Sequence, residues 1–150
     1  MNELAVLVLA AIPVFEVRAS IPLGIAVYHL SPVTTVVLSI IGSVLPVFPL
    51  LWILNNLTER FRKIPKFDQF LTWLFARTRA KSKMIEDLEL VGLTLFIAVP
   101  LPGTGVWTGT IAAYLLGLRW LPTFFAGLVG TAIASALVAA ATLGVINFIL

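Results

Sequence analysis

VPLPGTGVWTG, residues 99–109, interrupts a long run of apolar residues that is typical of helix on both sides. Pro100 and Pro102 cannot donate backbone hydrogen bonds, and the glycines permit backbone geometries that other residues resist. A helix break at membrane depth leaves N–H and C=O groups that lipid cannot satisfy, so it is tolerated only inside protein or beside a cavity. In a membrane protein, this stretch therefore predicts a break enclosed by other parts of the chain.

A second break, PVFEVRASIPLG at residues 13–24, lies near the N-terminus and contains Glu16 and Arg18. The preceding residues 4–12 would rise about 14 Å as a helix, roughly half of a ~30 Å hydrocarbon core. This length favours a re-entrant hairpin. The alternative is one kinked span over residues 4–30, which would place both charges near the bilayer centre at a cost of ~2.5–3.5 kcal/mol each.

The composition indicates an integral membrane protein. Of the 150 residues, 60% are hydrophobic and 11% are charged, and the mean hydropathy is +1.08, whereas soluble domains are about 25% charged. The chain has no cysteine and a single histidine, and we find no nucleophile–base arrangement, so we expect no metal site, no cofactor and no enzymatic activity. The start, Met1-Asn2-Glu3, lacks the basic residues of a cleaved signal, and no motif predicts nucleic-acid binding.

The basic residues concentrate in a central segment, residues 58–88. The positive-inside rule places this segment in the cytoplasm. Apolar residues recur in it at helical spacing, which predicts an amphipathic helix on the inner leaflet; they are Phe67, Phe70, Leu71, Leu74 and Phe75. Apolar runs at residues 33–54 and 121–150 predict spanning helices, and residues 90–99 and 106–118 predict a second hairpin around the second break.

The two halves of the chain resemble each other. Glu3-Leu4 and Glu89-Leu90 are 86 residues apart, and at the same offset the two proline-containing breaks coincide. We therefore interpret residues 1–150 as one membrane domain with an inverted repeat: repeat one at 3–57, the basic segment at 58–88, and repeat two at 89–150. Both termini would then lie outside. Broken helices that meet at the midplane of inverted repeats are typical of transporters, and so few elements favour a homodimer.

Ionisable residues deep in a membrane are functional by default, which directs attention to Glu16 and Arg18. Arg18 suits a phosphate or carboxylate, assisted by the amides of residues 103–105, and Glu16 could carry a coupling proton. The predicted substrate-binding residues are Glu16, Arg18, Ser20, Pro22, Pro100, Pro102, Gly103, Thr104, Gly105 and Trp107. Three functions stay open: a transporter or flippase of an anionic lipid-phosphate-like substrate, an exporter of cationic drugs coupled through Glu16, and a membrane scaffold without transport activity.

The segments EVRASIPLGI (16–25) and PLPGTGVWTG (100–109) resemble the two signature segments of the small multidrug export protein family of prokaryotes. The likeness covers nearly the whole chain and implies a multi-pass protein of the cell membrane that transports a small molecule. The layout is also similar to that of the broader DedA superfamily. That similarity implies membrane lipids as partners, lipid translocation and proton coupling.

Overall fold

The computed structural model describes residues 1–79 and 83–149, which fold as helices joined by short turns. No strand occurs in these ranges, so the predicted all-α class is confirmed. In chain order the helices are α1 (Asn2–Ala11), α2 (Glu16–Pro22) with a π-helical continuation (Leu23–Val27), α3 (Pro32–Val44), α4 (Val47–Phe61), α5 (Pro65–Arg79), α6 (Lys83–Ala98), α7 (Val106–Leu115) and α8 (Trp120–Ile149).

Two helical stretches are long and apolar enough to cross a membrane. One is α3 with α4, Pro32–Phe61, and the other is α8, Trp120–Ile149; each rises about 45 Å. The start of α3 follows from its sequence: Ser31 accepts a hydrogen bond from the Thr34 amide at 3.1 Å, and Pro32 occupies the first helical turn. Both stretches include the predicted spans, except that Leu150 lies outside the described residues.

The first break is shorter than the sequence predicts. Only residues 12–15 are irregular, and the helix that starts at Glu16 runs through Pro22. A proline inside a helix removes one hydrogen bond and crowds the carbonyl of the preceding turn. After Pro22 the backbone hydrogen bonds span five residues in place of four. The Tyr28 amide, for example, donates to the Leu23 carbonyl at 2.9 Å. This π-helical turn absorbs the proline, so the predicted break at 13–24 was wrong in length.

The helix before the second break also differs from its prediction. Helix α6 begins at Lys83 and spans 16 residues, about 24 Å, whereas the sequence predicted a half-length helix from residue 90. Acidic residues in the first turns favour a helix N-terminus, and Glu86 in addition pairs with Arg119 at 3.0 Å. The basic segment 58–88 thus contains the end of α4, all of α5 and the start of α6; its Lys81 lies outside the described residues.

Small residues allow the helices to approach closely. Helix α1 lies on α3, and α6 lies on α8, and these are the most extensive helix pairings in the described part of the chain. A Cβ placed on Gly42 of α3 would overlap the Leu7 carbonyl of α1 and come within 2.8 Å of the Ala10 Cβ. Gly130 of α8 has the same role against α6, where a Cβ would lie 2.8 Å from the Thr94 carbonyl.

We predict that Gly42→Ala lowers the free energy of unfolding by about 1–3 kcal/mol, because the added methyl forces α1 away from α3. Chemical unfolding in detergent micelles measures this loss. Gly127→Ala is the matched control, since a Cβ there has no neighbour within 4 Å. Equal stability of the two variants would contradict the close approach of α1 to α3.

Candidate functional site

Side chains from one break contact the other break. Arg18 Nη2 donates a hydrogen bond to Thr104 Oγ1 at 2.9 Å. The indole Nε1 of Trp107 donates to the carbonyl of Ala11, the last residue of α1, at 3.2 Å. The first hydrogen bond joins residues that are 86 positions apart in the chain, and the second joins residues that are 96 positions apart. The structure thus brings the two irregular segments together, as the sequence predicts.

The Glu16 carboxylate lies at the N-terminus of α7. Gly105, the N-cap of α7, offers no side chain to the helix, and the amide of Trp107 instead donates to Glu16 Oε1 over a long 3.4 Å. Because a helix N-terminus carries partial positive charge, a carboxylate is stabilised there. Glu16 is 3% exposed, and its φ of 44° lies in the left-handed region that costs a non-glycine residue free energy.

Arg18 completes the charge balance. Its Nη1 lies 3.4 Å from Glu16 Oε2, so the negative charge is shared between a guanidinium and the α7 amides. The two side chains differ in access: Glu16 is 4% exposed, whereas Arg18 is 20% exposed. The Arg18 Nε is buried and has no hydrogen-bond partner. The Arg18 side chain is therefore partly accessible, while the Glu16 side chain is enclosed.

The backbone groups freed by the first break are satisfied by other parts of the protein. The carbonyl of Ala10 accepts from the Ser43 hydroxyl at 3.1 Å, and that of Ala11 accepts from the Trp107 indole. The carbonyl of Ile12 accepts from the amides of Phe15 and Glu16 at 3.1 and 3.0 Å. These three carbonyls therefore have the protein partners that a helix break in lipid requires, while residues 12–15 themselves are exposed.

The second break is held by a threonine. Thr104 Oγ1 lies within hydrogen-bonding distance of the Val99 carbonyl and of the Leu101 carbonyl, the latter at 2.8 Å, and it accepts from the Leu101 amide at 3.2 Å. Gly103 has a φ of 85°, which a side chain would resist. Gly105 is needed for a different reason, because a Cβ there would fall on the Glu16 carboxylate.

The predicted site residues divide into two groups. Those that the structure brings together are Glu16, Arg18, Thr104, Gly105 and Trp107. The remaining ones serve elsewhere: Ser20 bonds to Ser39 of α3 at 2.7 Å, Pro22 lies inside a helix, and Pro100, Pro102 and Gly103 lie in the turn of the second break.

Sequence reasoning missed two participants, Ser43 and the Ala11 carbonyl. The Gly42-Ser43 pair does signal close packing in the sequence, but nothing local identifies which carbonyl the serine satisfies. Beside Trp107, a crevice between the α3–α4 turn and α7 is too narrow for a water molecule; it is lined by Ser43, Pro46, Val47, Leu50, Val106, Trp107 and Thr110.

In the described ranges, two long apolar helical stretches and a charged contact between the breaks fit an integral membrane protein. A model of the family described as "putative small multi-drug export protein" matches residues 16–137, so the chain belongs to that family. The match contains the second break and the Glu16–Arg18–Thr104 contact, and it starts directly after the first break. It is a family of export proteins and not of enzymes. Comparisons with curated proteins and with solved structures give no match.

We predict that Gly105→Ala destabilises the protein by about 1–3 kcal/mol, because its methyl displaces the Glu16 carboxylate from α7. In a Glu16→Ala background the same change should cost much less, which a double-mutant cycle of unfolding free energies measures. Gly92→Ala, where a Cβ has no neighbour within 4 Å, is the control. Additive effects of Glu16→Ala and Gly105→Ala would show that the two residues do not meet.

Trp107→Phe tests the second contact between the breaks. The substitution keeps an aromatic ring but leaves the Ala11 carbonyl without its donor, so we expect a loss of about 1–3 kcal/mol in unfolding free energy. Trp52→Phe is the control because Trp52 is 67% exposed on α4. If both variants are as stable as the wild type, the indole hydrogen bond does not support the break.

Proposed function

We propose that this protein is a secondary transporter that binds the anionic group of a small or amphipathic substrate at Arg18, between the two breaks. The observation that carries the proposal is the difference in access within the charged pair. The Arg18 side chain keeps an accessible side, whereas Glu16 is enclosed by α7 and Arg18. A planar guanidinium with free donors suits phosphate or carboxylate.

The position of Glu16 suggests how binding is coupled to a proton. The α7 N-terminus and Arg18 are the groups that an incoming anion would use, and the Glu16 carboxylate occupies both. A proton on Glu16 removes its negative charge and weakens both contacts, which frees the two donor groups for the substrate. The proton and the anion would then enter the site together. When they leave, the Glu16 carboxylate would again contact the α7 N-terminus and Arg18.

The proposed layout is an inverted repeat of two re-entrant hairpins. Support comes from the Arg18–Thr104 contact, which joins residues separated by the repeat offset of 86, because equivalent residues near a two-fold axis lie close together. The pairing of α1 with α3 and of α6 with α8, each around a glycine, has the same symmetry. A homodimer in the prokaryotic cell membrane, with α5 and the basic segment inside and both termini outside, completes the proposal.

A second candidate is export of cationic compounds coupled through Glu16. The family description favours it, and Trp107 lies beside the carboxylate, where an aromatic face could meet a cation. In that case the substrate would displace Arg18 from Glu16. The third candidate, a scaffold without transport activity, requires that the charged pair serves folding alone.

Binding to the purified protein separates these candidates. We expect dodecyl phosphate to bind the wild type and to bind Arg18→Gln about tenfold more weakly or worse, because hydrogen bonds to charged groups contribute ~1.5–3 kcal/mol. Isothermal titration in neutral detergent measures the affinity. Arg119→Gln is the matched control, since Arg119 is exposed and pairs with Glu86 away from the breaks. Proton uptake on binding should disappear in Glu16→Gln.

Two results would overturn this assignment. Binding of tetraphenylphosphonium but not of dodecyl phosphate, lost in Glu16→Gln, would make the cationic exporter correct. Binding of neither probe, combined with unfolding of Arg18→Gln and Glu16→Gln, would favour the scaffold.

A further inference from the structure

A group of hydroxyl side chains is buried where α2, α3 and α8 meet. On α3, Thr35, Ser39 and Ser43 follow each other at intervals of one helical turn, and each is at most 1% exposed. On α8, Thr131 and Ser135 are 2% and 0% exposed and are also one turn apart. Ser20 of α2 and Ser39 of α3 meet at this junction and Thr131 and Ser135 flank Ala134 on α8, whereas Ser43 faces the end of α1.

The same junction is the second hydrophobic cluster of the fold. Val17 and Ile21 of α2 pack with Ala134 of α8, and Val36 of α3 packs against them. Ser20 lies on this buried face of α2, between Val17 and Ile21, and Ser135 directly follows Ala134. The hydroxyls of the three helices therefore share a common environment.

The hydroxyls on α3 all have protein partners. Ser43 donates to the Ala10 carbonyl, Thr35 donates to the Ser31 carbonyl at 3.0 Å, and Ser39 shares a hydrogen bond of 2.7 Å with Ser20. The hydroxyls of Thr131 and Ser135 on α8 have none. They are the exceptions in this group.

A position on helix α8 does not by itself leave a hydroxyl without a hydrogen-bond partner. Thr123 and Thr142 lie on the same helix, and the hydroxyl of each donates a hydrogen bond to a carbonyl of the preceding turn at 2.8 Å. Thr123 is as deeply buried as Thr131, at 3% exposed. Thr131 and Ser135 therefore differ from comparable residues by leaving their hydroxyls available.

The chemistry of a hydroxyl identifies the partner that fits. A hydroxyl carries one proton to donate and lone pairs to accept. A cation would satisfy only the lone pairs, and an anion would satisfy only the proton, whereas a water molecule satisfies both. Buried water usually makes about three hydrogen bonds to polar groups that otherwise lack partners. Thr131, Ser135 and the Ser20–Ser39 pair supply groups of this kind.

We propose that the α2–α3–α8 junction binds ordered water at Thr131 and Ser135, and that this water gives protons a route along Ser20 to Glu16. Glu16 and Ser20 are one turn apart on α2 and both are buried, so they lie on the same side of the helix. The water site stands on the unpartnered hydroxyls alone. Its role as a proton route rests on the proposed proton-coupled transport.

Radiolytic hydroxyl-radical labelling, read out by mass spectrometry, tests the water site without any transport assay, because radicals form at bound water and modify the adjacent side chains. Ile21 is the reporter, at 0% exposed, and Ile97 of the other hydrophobic cluster is the matched reference, at 3% exposed. We expect Ile21 to be labelled and Ile97 to remain unlabelled. Labelling of Ile21 should be lost in the Thr131→Val/Ser135→Ala double variant and kept in Thr123→Val.

Equal, low labelling of Ile21 and Ile97 in the wild type would overturn the water site, as would labelling of Ile21 that persists in the double variant. Elution of each variant as a single peak in size-exclusion chromatography confirms that it is folded. Thr131→Val preserves side-chain shape and Ser135→Ala removes a single oxygen atom, so we expect the double variant to remain folded.

Proton movement into proteoliposomes, followed with a pH-sensitive dye, tests the route. We expect substrate-driven proton uptake to slow in the double variant and to equal the wild type in Thr123→Val, while the affinity for dodecyl phosphate stays unchanged. An unchanged rate in the double variant would overturn the route. Labelling of Ile21 without any substrate-driven proton movement in the wild type would uphold the water site and count against the proposed transport.

Discussion

The carboxylate of Glu16 at the start of α7 is the contact on which the arrangement of the breaks depends. Helix α7 begins at a glycine and has no capping side chain of its own. A carboxylate from a segment 91 residues earlier in the chain supplies that cap, and Arg18 ties the same carboxylate to Thr104. Removal of the charge on Glu16 would therefore weaken the end of one helix and the link between both halves of the protein.

The demands of the bilayer explain why contacts between the breaks, and from α3, supplement the hydrogen bonds within each break. Each interrupted helix exposes carbonyls that lipid leaves without partners. The Trp107 indole and the Ser43 hydroxyl reach the end of α1 from α7 and α3. The carbonyls at the end of α1 thus depend on side chains from two other helices.

The sequence predicted features that depend on local chemistry. Proline and glycine located both breaks, and Ser31 with Pro32 located the start of α3, because these residues act within one turn. It failed where distant residues decide. The helix after the first break absorbs Pro22 through a π-helical turn, and the Ala11 carbonyl finds its donor on Trp107, 96 residues away. No spacing rule within a single segment contains this information.

One measurement on the unmodified chain tests the meeting of the two breaks most directly. Solid-state NMR of the protein in lipid bilayers can measure dipolar coupling between ¹⁵N in the Arg18 guanidinium and ¹³C at the Thr104 Cβ, with Arg18→Lys identifying the signal. The hydrogen bond of 2.9 Å predicts strong dephasing, equivalent to about 4 Å between the labelled atoms. Absence of dephasing at the Arg18 signal would show that the breaks lie apart in the membrane.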